Sequence, residues 1–221
     1  MEAETLGFKR VLLVFDRYDF PMSLKSLTRE QRTEGKQVHF KLTTNTEIGN
    51  IKTKMLLSYT KTKVTFTQIL TETTEARFKA STSASYTIIY GEKIVSNMDY
   101  IVEDHSHTQE EVDKLMIRLV NIILESCTSS YIVVSSPDTD VFVLLLSSAL
   151  TAHHPQRGNQ IFFRTGVKEK YRGLKMEHFV SKLNESHVRG MIGFHAFTGC
   201  DQIGKYNGIL KARHADSLRC I

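Results

Sequence analysis

Acidic residues at the ends of apolar segments are the side chains of this sequence best placed to do chemistry. Asp16 ends one apolar run, Asp138 and Asp140 follow another, and Asp201 follows the Gly-containing segment Phe194–Cys200. Ligands of open α/β sheets bind beyond the carboxyl ends of the strands, so acids directly after strands converge on one edge of the sheet. Carboxylates held close together need hard cations to neutralise them, and oxygen ligands select Mg²⁺ or Mn²⁺. The sequence therefore predicts a metal site built from these acids.

Glu111 and Asp113 add two acids at the predicted start of a helix. Two divalent cations about 4 Å apart can activate a water and stabilise the leaving oxygen in phosphodiester hydrolysis. A structural interpretation stays open beside this one. Asp138 or Thr139 could cap the following helix, and acids in a first helical turn need only the favourable helix dipole.

The elements that must position these acids alternate between strands and helices. β-Branched and aromatic runs predict four strands and two short return strands: Val11–Phe15, Tyr86–Tyr90, Tyr131–Val134 and Gln160–Arg164, with returns at Ile94–Val95 and Tyr171–Leu174. Apolar residues at three- and four-residue spacing predict helices at Ser23–Arg32, Glu110–Glu125, Val141–Leu150 and Met176–Leu183. Residues 34–85, rich in Thr, Ser and Lys, are expected to form small helices and loops. This alternation predicts an α/β fold with a mostly parallel central sheet flanked by helices.

Composition is typical of one ordinary soluble domain over residues 1–221, because 41% of the residues are hydrophobic and 24% are charged. The longest apolar run, Val141–Leu146, is far shorter than the roughly 20 residues that span a bilayer. The acidic start, Met1–Glu4, is unlike a signal peptide, and three cysteines without a CxxC pair fit free thiols. We expect a nuclear or cytoplasmic protein without a membrane partner.

Positive charge is concentrated near the N-terminus. Residues 17–63 contain ten Lys or Arg against four Asp or Glu, in a chain of net charge +5. Such a surplus favours a polyanionic partner. The Phe and Tyr residues lack the paired aromatic signature of a single-strand-binding sheet, so we expect them in the core.

The ordered motifs of the chain resemble those of a group of invertebrate and transposon-associated proteins. The matching segments are Val14–Asp16, Ser23–Ser26 with Thr28–Arg32, Gln109–Asp113, Ser136–Val141 and Gly193–Asp201. That group is similar to the flap-endonuclease branch of the PIN-like nucleases, and the resemblance covers most of the chain. It implies a Rossmann-like three-layer fold and a metal-dependent endo- or exonuclease that uses Mg²⁺ or Mn²⁺ on DNA or RNA.

The resemblance also implies a role for each site residue. Glu111 and Asp113 resemble the family's Glu-x-Glu pair, and Asp138 and Asp140 its Asp-x-Asp pair. Asp201 resembles the acid of the late Gly-x-Asp motif. These and one further acid complete the implied metal ligands: Asp16, Glu111, Asp113, Asp138, Asp140 and Asp201.

Basic residues are implied to bind the substrate. Lys25 and Arg32, seven residues apart and so on one face of a helix, resemble the catalytic pair that clamps the scissile phosphate. Arg29 flanks them as a further nucleic-acid-binding residue. Residues 17–85 resemble the basic, helical arch inserted in this family.

Departures from the family keep other functions open. Only ten residues precede Val11, so the family's first strand and helix, which carry one metal-binding Asp, are expected to be missing. Gln109, Val112 and Lys114 replace the group's usual residues around the acidic pair.

One alternative function is a catalytically inactive nuclease-like domain that binds nucleic acid through its basic helix. A second is a phosphatase of the haloacid-dehalogenase type, since a strand followed by Asp138-Thr139-Asp140-Val141 also resembles that nucleophile motif.

Overall fold

The computed structural model describes residues 8–18, 38–49, 51–80, 85–97, 112–152, 158–166 and 171–199. The chain divides into two compact units, Met1–Val112 and Asp113–Ile221, called here the first and the second unit. The single domain over residues 1–221 stays a prediction.

The first unit is built on a three-stranded sheet. Strands β1 (Arg10–Val14) and β2 (Ser85–Tyr90) pair in parallel, and β3 (Lys93–Ser96) returns antiparallel to β2. The return is tight because Gly91 takes a φ of 54°, a left-handed conformation that favours glycine in short hairpin turns. The structure confirms all three strands expected in this region.

The connection from β1 to β2 contains helices α1 (Thr53–Leu56) and α2 (Thr60–Ala80). At 21 residues, α2 corrects the prediction of small helices and loops for residues 34–85. Its buried residues include two threonines, Thr62 and Thr71, beside Phe78, so the buried face lacks the apolar periodicity by which a helix is recognised. Side-chain pairs four residues apart support the helix, among them Lys79 with Glu75, whose hydrogen bond raises the pKa of Lys79.

The second unit repeats this order of elements. Helix α3 (Val112–Ser126) leads into β4 (Tyr131–Ser135), α4 (Thr139–Ala152) and β5 (Gln160–Thr165), with β4 and β5 parallel. Strand β6 (Arg172–Lys175) returns antiparallel to β5 and is followed by α5 (Met176–Lys182) and α6 (Glu185–Gly199). Helix α6 was not expected from the sequence. The segment Phe194–Gly199 is therefore helical, whereas Asp201 lies outside the described residues.

The core of the second unit lies between its sheet and its helices. Alternate strand residues, Ile132 and Val134 of β4 and Ile161 and Phe163 of β5, are buried in one apolar cluster. The helices add fully buried residues to the same cluster: Val141, Leu145, Leu146, Met176 and Val188. Burying one such aliphatic side chain contributes about 1.5–3 kcal/mol of hydrophobic free energy.

The fold is mixed α/β, as the sequence predicts. The described strands form two three-stranded sheets, each with one parallel and one antiparallel pairing, rather than one mostly parallel sheet. Among the described residues, no helix combines the length and the apolarity that crossing a membrane requires.

Candidate functional site

The turn between β4 and α4 holds two of the predicted metal ligands in a defined arrangement. The Asp138 backbone N–H donates to Ser136 Oγ at 3.1 Å, and the Asp140 backbone N–H donates to Asp138 Oδ1 at 2.9 Å. Asp138 is therefore the N-cap of α4, since its carboxylate satisfies a first-turn amide that has no partner inside the helix. Of the two capping residues considered from the sequence, the structure selects Asp138.

Helix α6 brings a histidine to the second acid of this turn. His195 Nε2 lies 3.4 Å from Asp140 Oδ1, and the two side chains are 13% and 29% exposed. The contact joins the Ser136–Val141 and Gly193–Asp201 segments, two of those that carry the family resemblance. Sequence reasoning quoted His195 within its motif without assigning it to the site. The missed signal is helical spacing, because His195 follows the core-packed Met191 and Ile192 by four and three residues.

Asp16, in the first unit, also accepts hydrogen bonds through both carboxylate oxygens. The Val112 backbone N–H donates to Asp16 Oδ1 at 3.1 Å, and the Tyr18 hydroxyl donates to Oδ2 at 3.3 Å. Val112 is the first residue of α3 and stands between Glu111 and Asp113 in the sequence. The end of β1 therefore lies beside Val112, a residue of the same unit that belongs to the Gln109–Asp113 motif.

The other predicted site residues are only partly covered by the structure. Asp113 lies half-buried in the first turn of α3. The remaining ones fall outside the described residues: Lys25, Arg29, Arg32, Glu111 and Asp201. Within the ranges that the structure describes, three or more His, Cys, Asp or Glu side chains nowhere gather closely enough to hold a metal ion.

The chemistry of the donors at the β4–α4 turn fits a hard divalent cation. Asp138 uses Oδ1 in the helix cap, so Oδ2 is the atom through which it would bind a cation. Asp140 adds a second, partly exposed carboxylate. Oxygen donors of this kind suit Mg²⁺ or Mn²⁺. The His195 ring nitrogen suits Mg²⁺ less well, and its 3.4 Å separation from Asp140 Oδ1 is an ion-pair distance.

One base of the N-terminal surplus is buried and paired with an acid. Arg17, the first base of the surplus over residues 17–63, is 8% exposed. Its guanidinium donates to Glu92 Oε1 at 3.0 Å, and Glu92 belongs to the turn between β2 and β3. Arg17 therefore supports the hairpin rather than a polyanion-binding surface.

In chemical terms, the described site is a strand-to-helix turn with two carboxylates and a neighbouring imidazole. Comparisons of the chain with protein-family models, with curated proteins and with solved structures found no match. Function is accordingly inferred from the residues and their geometry. Paired carboxylates with an adjacent imidazole are able to hold a divalent cation and to bind or release protons beside it.

Proposed function

We propose that this protein is a metal-dependent, nuclease-like domain that hydrolyses phosphodiester bonds of DNA or RNA. The observation that carries the proposal is the 3.4 Å approach of His195 to Asp140, because two distant motifs meet at a carboxylate suited to a cation. The contact of Asp16 with Val112 supports it, since a third motif lies beside the end of β1. We propose a PIN-like fold for the domain, supported by two parallel strand pairs whose first strands each lead to an acid.

Each residue has a distinct role in this proposal. Asp138 and Asp140 hold Mg²⁺ or Mn²⁺, and Asp201 of the same unit, which lies outside the described residues, is the further ligand expected from the resemblance. The bound cation supplies Lewis-acid polarisation of the phosphoryl group and a nucleophile at neutral pH. His195 fixes the rotamer of Asp140. Lys25 and Arg32 bind the scissile phosphate, and Arg29 binds the flanking backbone.

Cleavage of labelled nucleic acids tests the proposal. A 5′-flap duplex, a single-stranded DNA and a single-stranded RNA are incubated with the protein and Mg²⁺ or Mn²⁺, beside the double variant Asp138→Asn/Asp140→Asn. Asn keeps the cap of α4 and the side-chain volume but lowers cation affinity. We expect metal-dependent cleavage that falls about 100-fold or more in the variant, the magnitude typical when a catalytic electrostatic group is removed.

The matched control is Glu185→Gln, which neutralises an exposed acid of α6 that pairs with Arg189. It is expected to cleave like the unmodified protein. Equal cleavage by the double variant and the unmodified protein would contradict the proposal, because activity would not depend on the paired carboxylates.

The second candidate function is a catalytically inactive domain that binds nucleic acid. The observation favouring it is that Asp16 and Asp138 each already accept a backbone N–H from the start of a helix. Both acids thus have a structural use that needs no cation. Salt-dependent binding without cleavage of any of the three substrates would favour this candidate.

A further inference from the structure

The sheet of the second unit has a second face, opposite the one that packs against the helices. Side chains alternate along each strand, so burial of Ile161 and Phe163 places Phe162 and Arg164 on the other face of β5. Tyr131 of β4 and Lys175 of β6 lie on this face as well. These four residues, with Tyr171 just before β6, are called here the aromatic face.

Two of its rings form a stacked pair. The ring centroids of Tyr131 and Phe162 are 4.5 Å apart with an interplanar angle of 27°. Tyr131 nevertheless remains 64% exposed, the largest fraction among the exposed large hydrophobic residues. Tyr131 is therefore an exception to the expectation that the Phe and Tyr residues lie in the core, which Phe78, Tyr86 and Phe163 confirm. Phe162 supports the Tyr131 ring from one side, which leaves the ring accessible for stacking with another planar group.

A second ring is paired with a cation. The Arg164 guanidinium carbon lies 4.3 Å from the centroid of the Tyr171 ring, and Tyr171 is 44% exposed. A guanidinium held over a ring is planar and positively charged, so it can meet both a base and a phosphate.

The charged residues of strands β4, β5 and β6 are all basic. Their sequences contain three bases and no acid; Arg164 and Lys175 lie on the aromatic face, whereas Arg172 pairs with Thr165 on the opposite face. Lys175 lies opposite Phe162 in the strand register, although its ammonium group also pairs with Glu177 at 2.5 Å. Accessible rings on a basic sheet match a polyanion that presents planar groups, which is the chemistry of single-stranded nucleic acid.

We propose that the aromatic face binds single-stranded nucleic acid. Bases stack on Tyr131 and Tyr171, and the phosphates contact Arg164 and Lys175. A duplex keeps its bases stacked inside, so the rings select single strands over duplexes. The choice of nucleic acid as partner rests on the proposed function, but none of the five residues of this face is an acid of the proposed cation site, and binding to the face needs no cation.

Fluorescence anisotropy of the full chain tests the proposal. Fluorescein-labelled dT₁₂ and rU₁₂ are titrated in EDTA, where metal-dependent cleavage cannot occur. Tyr131→Ala is expected to weaken binding about fivefold or more, whereas Tyr131→Phe, which keeps the ring, binds within about twofold of the unmodified protein. Tyr171→Ala, outside any strand, is the second variant and is expected to weaken binding by a similar factor, which covers a failure of Tyr131→Ala to fold.

Arg189→Ala is the charge control, because Arg189 is an exposed base of α6 in the same unit. It is expected to bind within about twofold of the unmodified protein, whereas Arg164→Ala weakens binding more strongly. Failure of the unmodified protein to bind either oligonucleotide would overturn the proposal. So would full affinity in both Tyr131→Ala and Tyr171→Ala, or sedimentation showing that the face joins two copies of the chain.

The two proposals fail separately. Oligonucleotide binding that requires Tyr131, with no cleavage under any metal condition, leaves this inference intact and removes the proposed hydrolysis. Cleavage that requires Asp138 and Asp140, with oligonucleotide binding unchanged in both tyrosine variants, removes the inference and leaves the proposed function.

Discussion

The two units share one order of elements but differ in what holds them together. Each has a strand, a helical connection, a parallel second strand and an antiparallel return strand. The second unit buries a broad apolar cluster drawn from strands and helices, whereas the buried cluster of the first unit comprises Phe78, Tyr86 and Ile88. The long helix of the first unit buries two threonines as well as Phe78. Within the described residues, the first unit therefore combines a smaller apolar cluster with buried polar side chains, whereas the second relies on a broad apolar cluster.

The two units also differ in how far along the chain the acid after the first strand finds its hydrogen-bond donor. Asp138 accepts an amide two residues away, at the start of the helix that follows it. Asp16 accepts an amide 96 residues away, at the start of α3. Both carboxylates serve a helix start, but only the first arrangement is encoded locally.

The largest expected effect comes from the apolar core of the second unit. Leu145→Ala in α4 removes a side chain with 0% exposure, so it loses transfer free energy and leaves a cavity. We expect the free energy of unfolding, measured by urea denaturation, to fall by about 2–5 kcal/mol. Leu70→Ala on α2 is the control, because Leu70 is 37% exposed, and it is expected to change stability by at most about 1 kcal/mol. Equal effects of the two changes would contradict the packing described for the second unit.

The buried threonines of α2 test the polar support of the first unit. Thr62 Oγ accepts the Phe40 backbone N–H at 3.2 Å, whereas Thr71 Oγ has no hydrogen-bond partner among the described residues. Thr62→Val leaves that amide unpaired and is expected to destabilise by about 1–3 kcal/mol. Thr71→Val removes an unsatisfied hydroxyl and is expected to be neutral or stabilising. Thermal unfolding followed by circular dichroism compares them, and a loss of stability in both variants would contradict the different hydrogen bonding of the two sites.

The helix cap at Asp138 separates a structural role from a chemical one. Asp138→Ala removes the acceptor for the Asp140 amide and is expected to cost about 1 kcal/mol in urea denaturation. Asp138→Asn keeps an acceptor and is expected to unfold within a few tenths of a kcal/mol of the unmodified protein. Identical stability of the Ala and Asn variants would show that the cap contributes little.

The smallest effect concerns two glycines in different backbone conformations. Gly91 has a φ of 54°, so Gly91→Ala is expected to destabilise the hairpin of the first unit by about 1 kcal/mol. Gly190 lies within α6 with open space at its Cβ position, so Gly190→Ala is expected to stabilise by about 0.5–1 kcal/mol. Melting temperatures give the sign of each change, and two changes of the same sign would contradict this distinction.

Sequence periodicity predicts the second unit better than the first. Strands β4 and β5 and helix α4 follow local apolar patterns, and the cap at Asp138 follows from the residues around it. Helix α2 was not predicted at its full length because two of its buried residues are polar threonines, which do not contribute to an apolar pattern. Helix α6 was not predicted because three glycines and a mixed sequence weaken its apolar pattern.

Contacts between distant residues could not be predicted from sequence patterns. The approach of His195 to Asp140 depends on how α6 packs against α4, and Asp16 meets Val112 only through the fold of the first unit. The exposure of Tyr131 likewise depends on which face of its sheet the helices cover. Periodicity gives the alternation of that strand but not the side that stays open.

Manganese binding tests the central claim most directly, because it does not depend on finding the right substrate. Free Mn²⁺ is measured by electron paramagnetic resonance during titration of the unmodified protein and of Asp138→Asn/Asp140→Asn. The account predicts saturable binding that Mg²⁺ competes away and that the double variant, folded as judged by circular dichroism, loses at least about tenfold in affinity. Equal Mn²⁺ binding by the two proteins, or none by the unmodified protein, would contradict a cation site at the β4–α4 turn.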